Sequence, residues 1–502
     1  MIEIGKKNIL RLVGALLAIL LAFCILFPAL INRDAVKKRV AARISQNMEG
    51  KVTFQSLDLS FFPRPHALIK QGIVSIPGQV NGTFEILRLY PKILPLFIGK
   101  LGLGEVLLEQ PDFKVTFSTR FATEEKSDDT PSFSERIEES MNSLMAPLAI
   151  YAPHLMIRTE NGRVEFFGYM ESPLSFHHIT ARIIFPPREL TCHFTCSSDL
   201  GEEIEFEGRL NIEDQKGKGR LDIKDFCPHR LLNRLLPDAF FCLAESRTDL
   251  KLNLDFVGTH TRIGDMEWTL PHLVLQHEKE QVVLSGQKLK IAFAMHEGKT
   301  EVALDELSLD YPSLHMTGKF LLDQGPSSEV SLELQGSELD VHSIREVVLS
   351  LGGHIRNVDK VFQTVRGGNV PWITLSARVN RLSDLKKLDN YLIKGVMDHG
   401  NIFVPRAELD LTKVKGEMII SKGILQGKEL EAKLGHSFGR EGSMTLGLRK
   451  KDKAFHLDII VQADLVQLPP ILKRVGKNEI FLKEVSNFEE VEGSASGRLV
   501  LG

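Results

Sequence analysis

The sequence predicts a mainly β fold: a long, twisted antiparallel sheet with short helices, preceded by one N-terminal transmembrane helix. Three observations carry that reading. Polar and apolar residues alternate strictly in many short runs, turn signals recur about every ten residues, and a single uncharged run occupies residues 12–31.

The N-terminal run comes first. It follows a stub, residues 1–11, that carries Lys6, Lys7 and Arg11, and its ~20 residues make a helix ~30 Å long, enough to span a bilayer. Leu12, Leu16, Leu20, Phe27 and Ile31 mark its lipid-facing length. A cleaved secretory signal has a shorter apolar core and a small-x-small site, whereas this run ends Phe27-Pro28-Ala29-Leu30-Ile31, so an uncleaved anchor is expected. Cys24 follows Phe23, where a lipidation box needs a small residue, and reads as lipid-facing filler. Next, Asp34 caps a helix in which Val36, Val40, Ile44 and Met48 form an apolar face opposite a basic one, with Gly50 as its stop. Such a helix either lies on a membrane surface or packs on its own domain.

From Lys51 onward strand signals dominate. Asp249-Leu250-Lys251-Leu252-Asn253-Leu254-Asp255-Phe256 alternates, as do Ile204-Glu205-Phe206, Val302-Ala303-Leu304, Val330-Ser331-Leu332-Glu333-Leu334 and Phe455-His456-Leu457-Asp458-Ile459. Asn161-Gly162, Gly217-Lys218-Gly219, Gln324-Gly325-Pro326, His399-Gly400-Asn401 and Arg440-Glu441-Gly442 read as the turns of an antiparallel meander. Helices are expected at 228–236, 340–351, 382–393 and 464–475, the second capped by Asp340 and striped by Val341, Ile344, Val348 and Leu351. Residues 118–134 are polar and read as a linker, followed by a helix near 135–145, which together fill 118–150.

Composition bounds the function. A chain of 502 residues has room for about three compact domains or one repetitive array. Charged residues make up 25% and apolar ones 43%, which excludes a disordered chain and a multi-span membrane protein. Lys and Arg number 62 against 65 Asp and Glu, so no basic field exists to hold phosphates and no nucleic-acid partner is expected. Phe accounts for 29 of the aromatic residues, against 5 Tyr and 2 Trp. A ring without a polar handle wants dry surroundings or an apolar ligand.

Geometry leaves two architectures. About 25 strands at ~4.8 Å would make a sheet ~120 Å long, too large to close as one filled barrel. Either it splits into packed sandwiches, whose dry faces bury each other, or it curls into an open trough with a continuous apolar floor.

Several motifs carry a resemblance. The anchor and basic helix, Gly50-Lys51-Val52-Thr53-Phe54, Leu59-Ser60-Phe61-Phe62-Pro63-Arg64-Pro65, Leu94-Pro95-Leu96-Phe97-Ile98-Gly99-Lys100-Leu101 and Leu107-Leu108-Glu109-Gln110-Pro111-Asp112 together resemble the start of an AsmA-like protein. That likeness covers about the first 120 residues. Asn161-Gly162, read as a hairpin after the linker, also resembles the family, and residues 307–502 are similar to AsmA-like C-terminal repeats. The resemblance implies a single-pass protein of the bacterial inner membrane with its bulk in the periplasm, a chorein-type N-terminal cap over 32–117, and a repeating β-groove over 151–502. Such proteins belong with bridge-like lipid-transfer proteins, so the resemblance implies carriage of membrane phospholipid toward the outer membrane in envelope biogenesis. Counting Lys and Arg alone, with Arg33, Lys37, Lys38, Arg39 and Arg43 after the span, would instead put the bulk inside the cell; the resemblance decides for the periplasm.

The residues offered as the groove lining are Ile204, Phe206, Leu250, Leu252, Leu254, Phe256, Val330, Leu332 and Leu334. No catalytic, cofactor or metal residues are assigned and no enzymatic activity is expected. Gly493-Ser494-Ala495-Ser496-Gly497 has Ala where a nucleophile elbow needs Ser, and no phosphate loop or zincin motif occurs. Cys192-His193-Phe194-Thr195-Cys196 is the best metal candidate, but its cysteines would lie ~13 Å apart along a strand. Pairing of either with Cys227 or Cys242 stays open beside a reading of all four as small buried hydrophobes. A second functional class is a periplasmic scaffold that assists outer-membrane protein assembly through exposed sheet edges. Residues 492–502 read as an alternating strand that begins a block, so either the chain continues or another polypeptide pairs there.

Overall fold

The computed structural model describes residues 51–116 and 154–502, less short connecting stretches, the longest within 93–101, 236–241, 449–453 and 476–484. The anchor, the basic helix and the linker with its helix lie outside the described residues. Among the described residues no helix is long and apolar enough to cross a membrane.

Two compact units divide the chain, Met1–Asp225 and Phe226–Gly502. The division falls inside the stretch that the sequence reading treats as one groove. Unit 1 contains β1 (Lys51–Ser60), β2 (His66–Ile76), β3 (Val80–Pro91), β4 (Leu103–Glu109), β5 (Asp112–Thr116), β6 (Leu155–Phe167), β7 (Leu174–Phe185), β8 (Glu189–Ser198), β9 (Gly201–Asn211) and β10 (Lys216–Phe226). Unit 2 opens with α1 (Pro228–Leu235), β11 (Cys242–Leu243), β12 (Arg247–Val257), β13 (Thr261–His277), β14 (Glu280–His296), β15 (Lys299–Tyr311), β16 (Leu314–Asp323) and β17 (Glu329–Asp340). It continues through α2 (Val341–Gly352), α3 (Arg356–Thr364), β18 (Val365–Val379), β19 (Tyr391–Val404), β20 (Leu409–Ser421), β21 (Ile424–Leu434), β22 (Ser437–Gly447), β23 (Phe455–Asp464), α4 (Leu468–Val475) and β24 (Ser494–Leu501).

Within each unit the ladders are antiparallel between sequence neighbours, except that β11 pairs with β13 beside β12 and that β4 and β5 share their partners. β4 and β5 both pair antiparallel with β3 and parallel with β6, so they act as one strand broken at Gln110-Pro111. A parallel step needs a crossover rather than a hairpin, and residues 117–153 supply the length for it. The expected uniform meander is corrected there.

Three expected turns lie inside strands. Asn161-Gly162 sits within β6, His399-Gly400-Asn401 within β19 and Arg440-Glu441-Gly442 within β22. Asn161, His399 and Glu441 adopt positive φ of 51°, 52° and 52°, and the strand register shifts at each. These are bulges, in which one extra residue bends the strand and increases its twist. Gly217-Lys218-Gly219 likewise belongs to β10 rather than to the turn before it. In unit 2 the bulges run on from strand to strand: Gly368 in β18, His399 in β19, Lys413 in β20, Glu429 in β21 and Glu441 in β22 all have positive φ. A left-handed residue followed by Gly suits a tight turn and a bulge alike, and only the length of the partner strand distinguishes them.

The helices cap strand ends. Asp340 accepts the backbone N–H groups of His342 and Ser343 at 3.2 and 3.1 Å, as its position before α2 predicts. Burial works against the charge on Asp340, but these bonds outweigh it and hold the carboxyl below its ordinary value. The buried stripe of α2 is Val341, Val347 and Leu351, so Val347 replaces the expected Val348. Val347 and Leu351 pack with Leu243, Leu275 and Val282 into the core of unit 2, flanked by Leu232 of α1. In unit 1, Leu57, Ile69 and Phe84 form one buried cluster and Leu155, Phe185 and Leu190 another.

The helix expected over 382–393 is absent. Two 3-10 turns, Leu382–Lys386 and Leu388–Asn390, precede β19, which starts at Tyr391. Asn390 donates from Nδ2 to the Asp384 carbonyl at 2.8 Å, and Tyr391 pairs with Ala377 across the ladder. A side chain that satisfies the backbone locally competes with helix, and the aromatic and β-branched residues after it favour the sheet.

A polar knot joins α1 to the sheet. Thr248 Oγ donates to the Phe226 carbonyl and receives the Trp268 indole N–H at 2.7 Å, while the Ser246 N–H donates to His229 Nδ1 at 3.3 Å. Desolvation, then the neighbouring Arg230 charge, lower the His229 pKa from 6.5. Protonation would also remove the lone pair that accepts Ser246. A group with a depressed basic pKa in the folded state makes the unfolded state bind more protons, so stability falls as pH drops through the unfolded value. Melting temperature is expected to fall more steeply from pH 7.5 to pH 5.5 in the wild type than in His229→Gln, and parallel profiles would refute the assignment.

Candidate functional site, an apolar sheet face

Residues directly opposite one another in a ladder share a face, so the registers trace which side chains are laid side by side. Leu252 of β12 opposes Met266, which opposes Ile291, and the row continues through Leu304, Gly318, Leu334, Leu375, Ile393, Ile420, Leu425, Leu446 and Phe455. Every member is apolar or glycine. A parallel row starts at Leu250 and runs Trp268, Leu289, Leu307, Met316, Gly336, Ile373, Gly395, Met418, Gly427, Met444, Leu457 and Leu501. A third joins Leu254, Gly264, Phe293, Val302, Phe320, Leu332 and Ala377. Twelve strand spacings at ~4.8 Å carry the second row about 60 Å across the sheet.

The seven lining residues expected on β12 and β17 therefore fall on one face. Phe256 and Val330 share a fourth row, at the margin of the face, where Arg262 and Thr300 intervene. Ile204 and Phe206 belong to unit 1. There Phe206 lies between Phe194 and Leu221, with the two phenyl rings 5.2 Å apart, and Ile204 lies between Cys196 and Ile223. The rows between β12 and β17 contain residues that the sequence reading left out, such as Met266, Trp268, Ile291 and Phe320. Their own alternation, with Asp265, Glu267 and Lys290 between them, is the signal that would have found them.

Burial separates the members. Ile204 and Val330 are closed off, at 4% and 1% exposure. Phe206, Leu250, Leu252, Leu254, Phe256, Leu332 and Leu334 are half-buried. Among the described residues, every substantial close strand–strand contact within unit 2 joins ladder partners. Gly264 lets the face stay smooth: a Cβ there would meet the Phe293 ring at 2.6 Å, so Phe293 lies across the glycine.

The opposite face is charged. Lys251, Glu267, Lys290 and Glu306 oppose one another in sequence across β12 to β15, alternating in sign. Lys288 Nζ lies 2.7 Å from Glu267, whose carboxyl it holds below its ordinary value, and Lys290 lies 3.4 Å from Glu306. At the last ladder Arg498 grips Asp458 with two nitrogens at 2.7 and 2.5 Å. Exposed pairs of this kind contribute little stability, but they fix which face meets water.

Two further expectations concern cysteine and the last strand. None of Cys192, Cys196, Cys227 and Cys242 is joined in a disulfide. Burial raises the Cys196 thiol to about 11, which makes it inert, whereas Cys242 is exposed rather than buried as expected. Among the described residues β24 pairs with β23 alone, and all its residues are exposed. No protein-family model matches this chain, and no curated protein matches it significantly.

Proposed function

We propose that the apolar face of unit 2 solvates phospholipid acyl chains, and that the protein is an inner-membrane-anchored carrier in bacterial envelope biogenesis. The observation that carries this reading is the set of apolar rows that runs unbroken across unit 2, most of its members only half-buried. Apolar surface left to water costs about 25 cal/mol per Å², so such a face calls for an apolar occupant. Acyl chains need no hydrogen bonds, and the rows offer none. Bulges that recur from β18 to β22 bend successive strands, which supports a curved floor rather than a flat one. The AsmA-like motifs of the first 120 residues point the same way. No chemistry is required of the protein: it replaces the aqueous barrier that lipid tails otherwise face.

A second reading rests on β24. Its free edge and the exposed Leu499, Val500 and Leu501, at 41%, 55% and 43%, would suit strand addition by a client or partner polypeptide. Native mass spectrometry of the full chain, extracted in detergent and purified without added lipid, separates the two. Stoichiometric phospholipid is the expected result; bound polypeptide without lipid would favour the edge, and neither would overturn the acyl-chain reading.

A further inference from the structure

The charged face of unit 1 brings together three groups of metal-ligating chemistry. His193 of β8 stands opposite Glu207 of β9, and Glu205, two residues along β9, points from the same face and opposes Thr195. His193 Nδ1 lies 3.6 Å from Glu207 Oε1, and one ligand atom from each of the three residues lies within 4.8 Å of the others. An ion held at ~2.0–2.1 Å by nitrogen and oxygen in tetrahedral geometry spaces its ligands by ~3.3 Å. The His193–Glu207 pair is already near that spacing, and a rotamer change of the half-buried Glu205 closes the rest.

The surroundings permit a cation. Arg182 faces His193 from β7, while Arg220 and Asp222 face Glu207 and Glu205 from β10. Two arginines against three carboxylates leave this patch at −1 with His193 neutral. Arg220 is moreover turned to Asp222, with Nε 2.7 Å from the carboxylate. Imidazole as one of three ligands selects zinc-like transition metals over calcium or magnesium, which prefer all-oxygen sites.

We propose that His193, Glu205 and Glu207 form a binding site for a divalent transition-metal ion of the zinc class, which clips β8 to β9. The site stands apart from the acyl-chain reading, since it lies in unit 1 while the proposed acyl-chain face lies in unit 2. It also differs from the metal candidate legible in sequence: His193 is retained, but its co-ligands come from the neighbouring strand, and Cys192 and Cys196 play no part. Calorimetric titration of the full chain in detergent with zinc chloride at pH 7.5 tests it. One tight equivalent is expected in the wild type, weakened at least about tenfold in both His193→Gln and Glu207→Gln and unchanged in His456→Gln. Zinc should also raise the melting temperature of the wild type but not of Glu207→Gln, a readout that also checks that the variant folds. No binding, or isotherms alike in the wild type and both site variants, would overturn the proposal and assign any bound zinc to thiols or scattered histidines.

Discussion

Leu252→Glu is expected to give a folded protein that has lost most of its copurified phospholipid. Leu252 is half-buried opposite Met266, at the β12 end of an unbroken apolar row, so a carboxylate placed there reaches water without leaving the sheet. The stability cost is therefore modest, about 1–2 kcal/mol. The effect on a bound acyl chain is larger, because a charge beside hydrocarbon must be either desolvated or avoided. Several-fold less phospholipid per chain is expected by mass spectrometry, with Leu334→Glu, five strands away in the same row, behaving alike. Lys251→Gln is the control: one residue away, it points to the charged face and should leave lipid content unchanged. An unfolded Leu252→Glu would mean that this position is a closed core, and unchanged lipid would remove the face from the binding site.

Val330→Asp is expected to unfold the chain where Leu332→Asp does not. Both residues lie on the apolar face of β17, two positions apart, yet Val330 is 1% exposed and Leu332 is half-buried. Val330 opposes Leu322 on one side and Val379 on the other, neither of which can pair with a carboxylate. An unpaired charge buried there costs ~3 kcal/mol or more, a large part of what holds an ordinary domain folded. At Leu332 the same change costs about 1 kcal/mol, since water remains within reach. Urea or thermal unfolding distinguishes them, and equal stabilities would mean that the margin of the face is as open as its middle.

These two substitutions also show how much of the site was legible in the amino-acid order. The alternation Leu250-Lys251-Leu252-Asn253-Leu254 assigns side chains to two faces because a strand has period two, whatever lies around it. It could not tell Val330 from Leu332, since both are apolar at even spacing and only neighbours brought in by folding close over one of them. The same limit applies to Asn161-Gly162 and His399-Gly400, which carry identical local preferences in a turn and in a bulge. For His193 the sequence offered the near cysteines, while the proposed ligating partners stand 12 and 14 residues on, across a ladder.

What the chain order determined by itself was therefore local and periodic: strands from Lys51 onward, their wet and dry sides, the Asp340 cap and the lack of a basic field for nucleic acid. These follow from backbone geometry and residue chemistry over a few positions. Tertiary structure alone decided the registers that align single apolar residues into rows across thirteen strands, the parallel step at β6 and the closure of Val330 beside a half-buried Leu332. Register depends on which strands meet and where they bulge, and such long-range pairing is not encoded in any one segment.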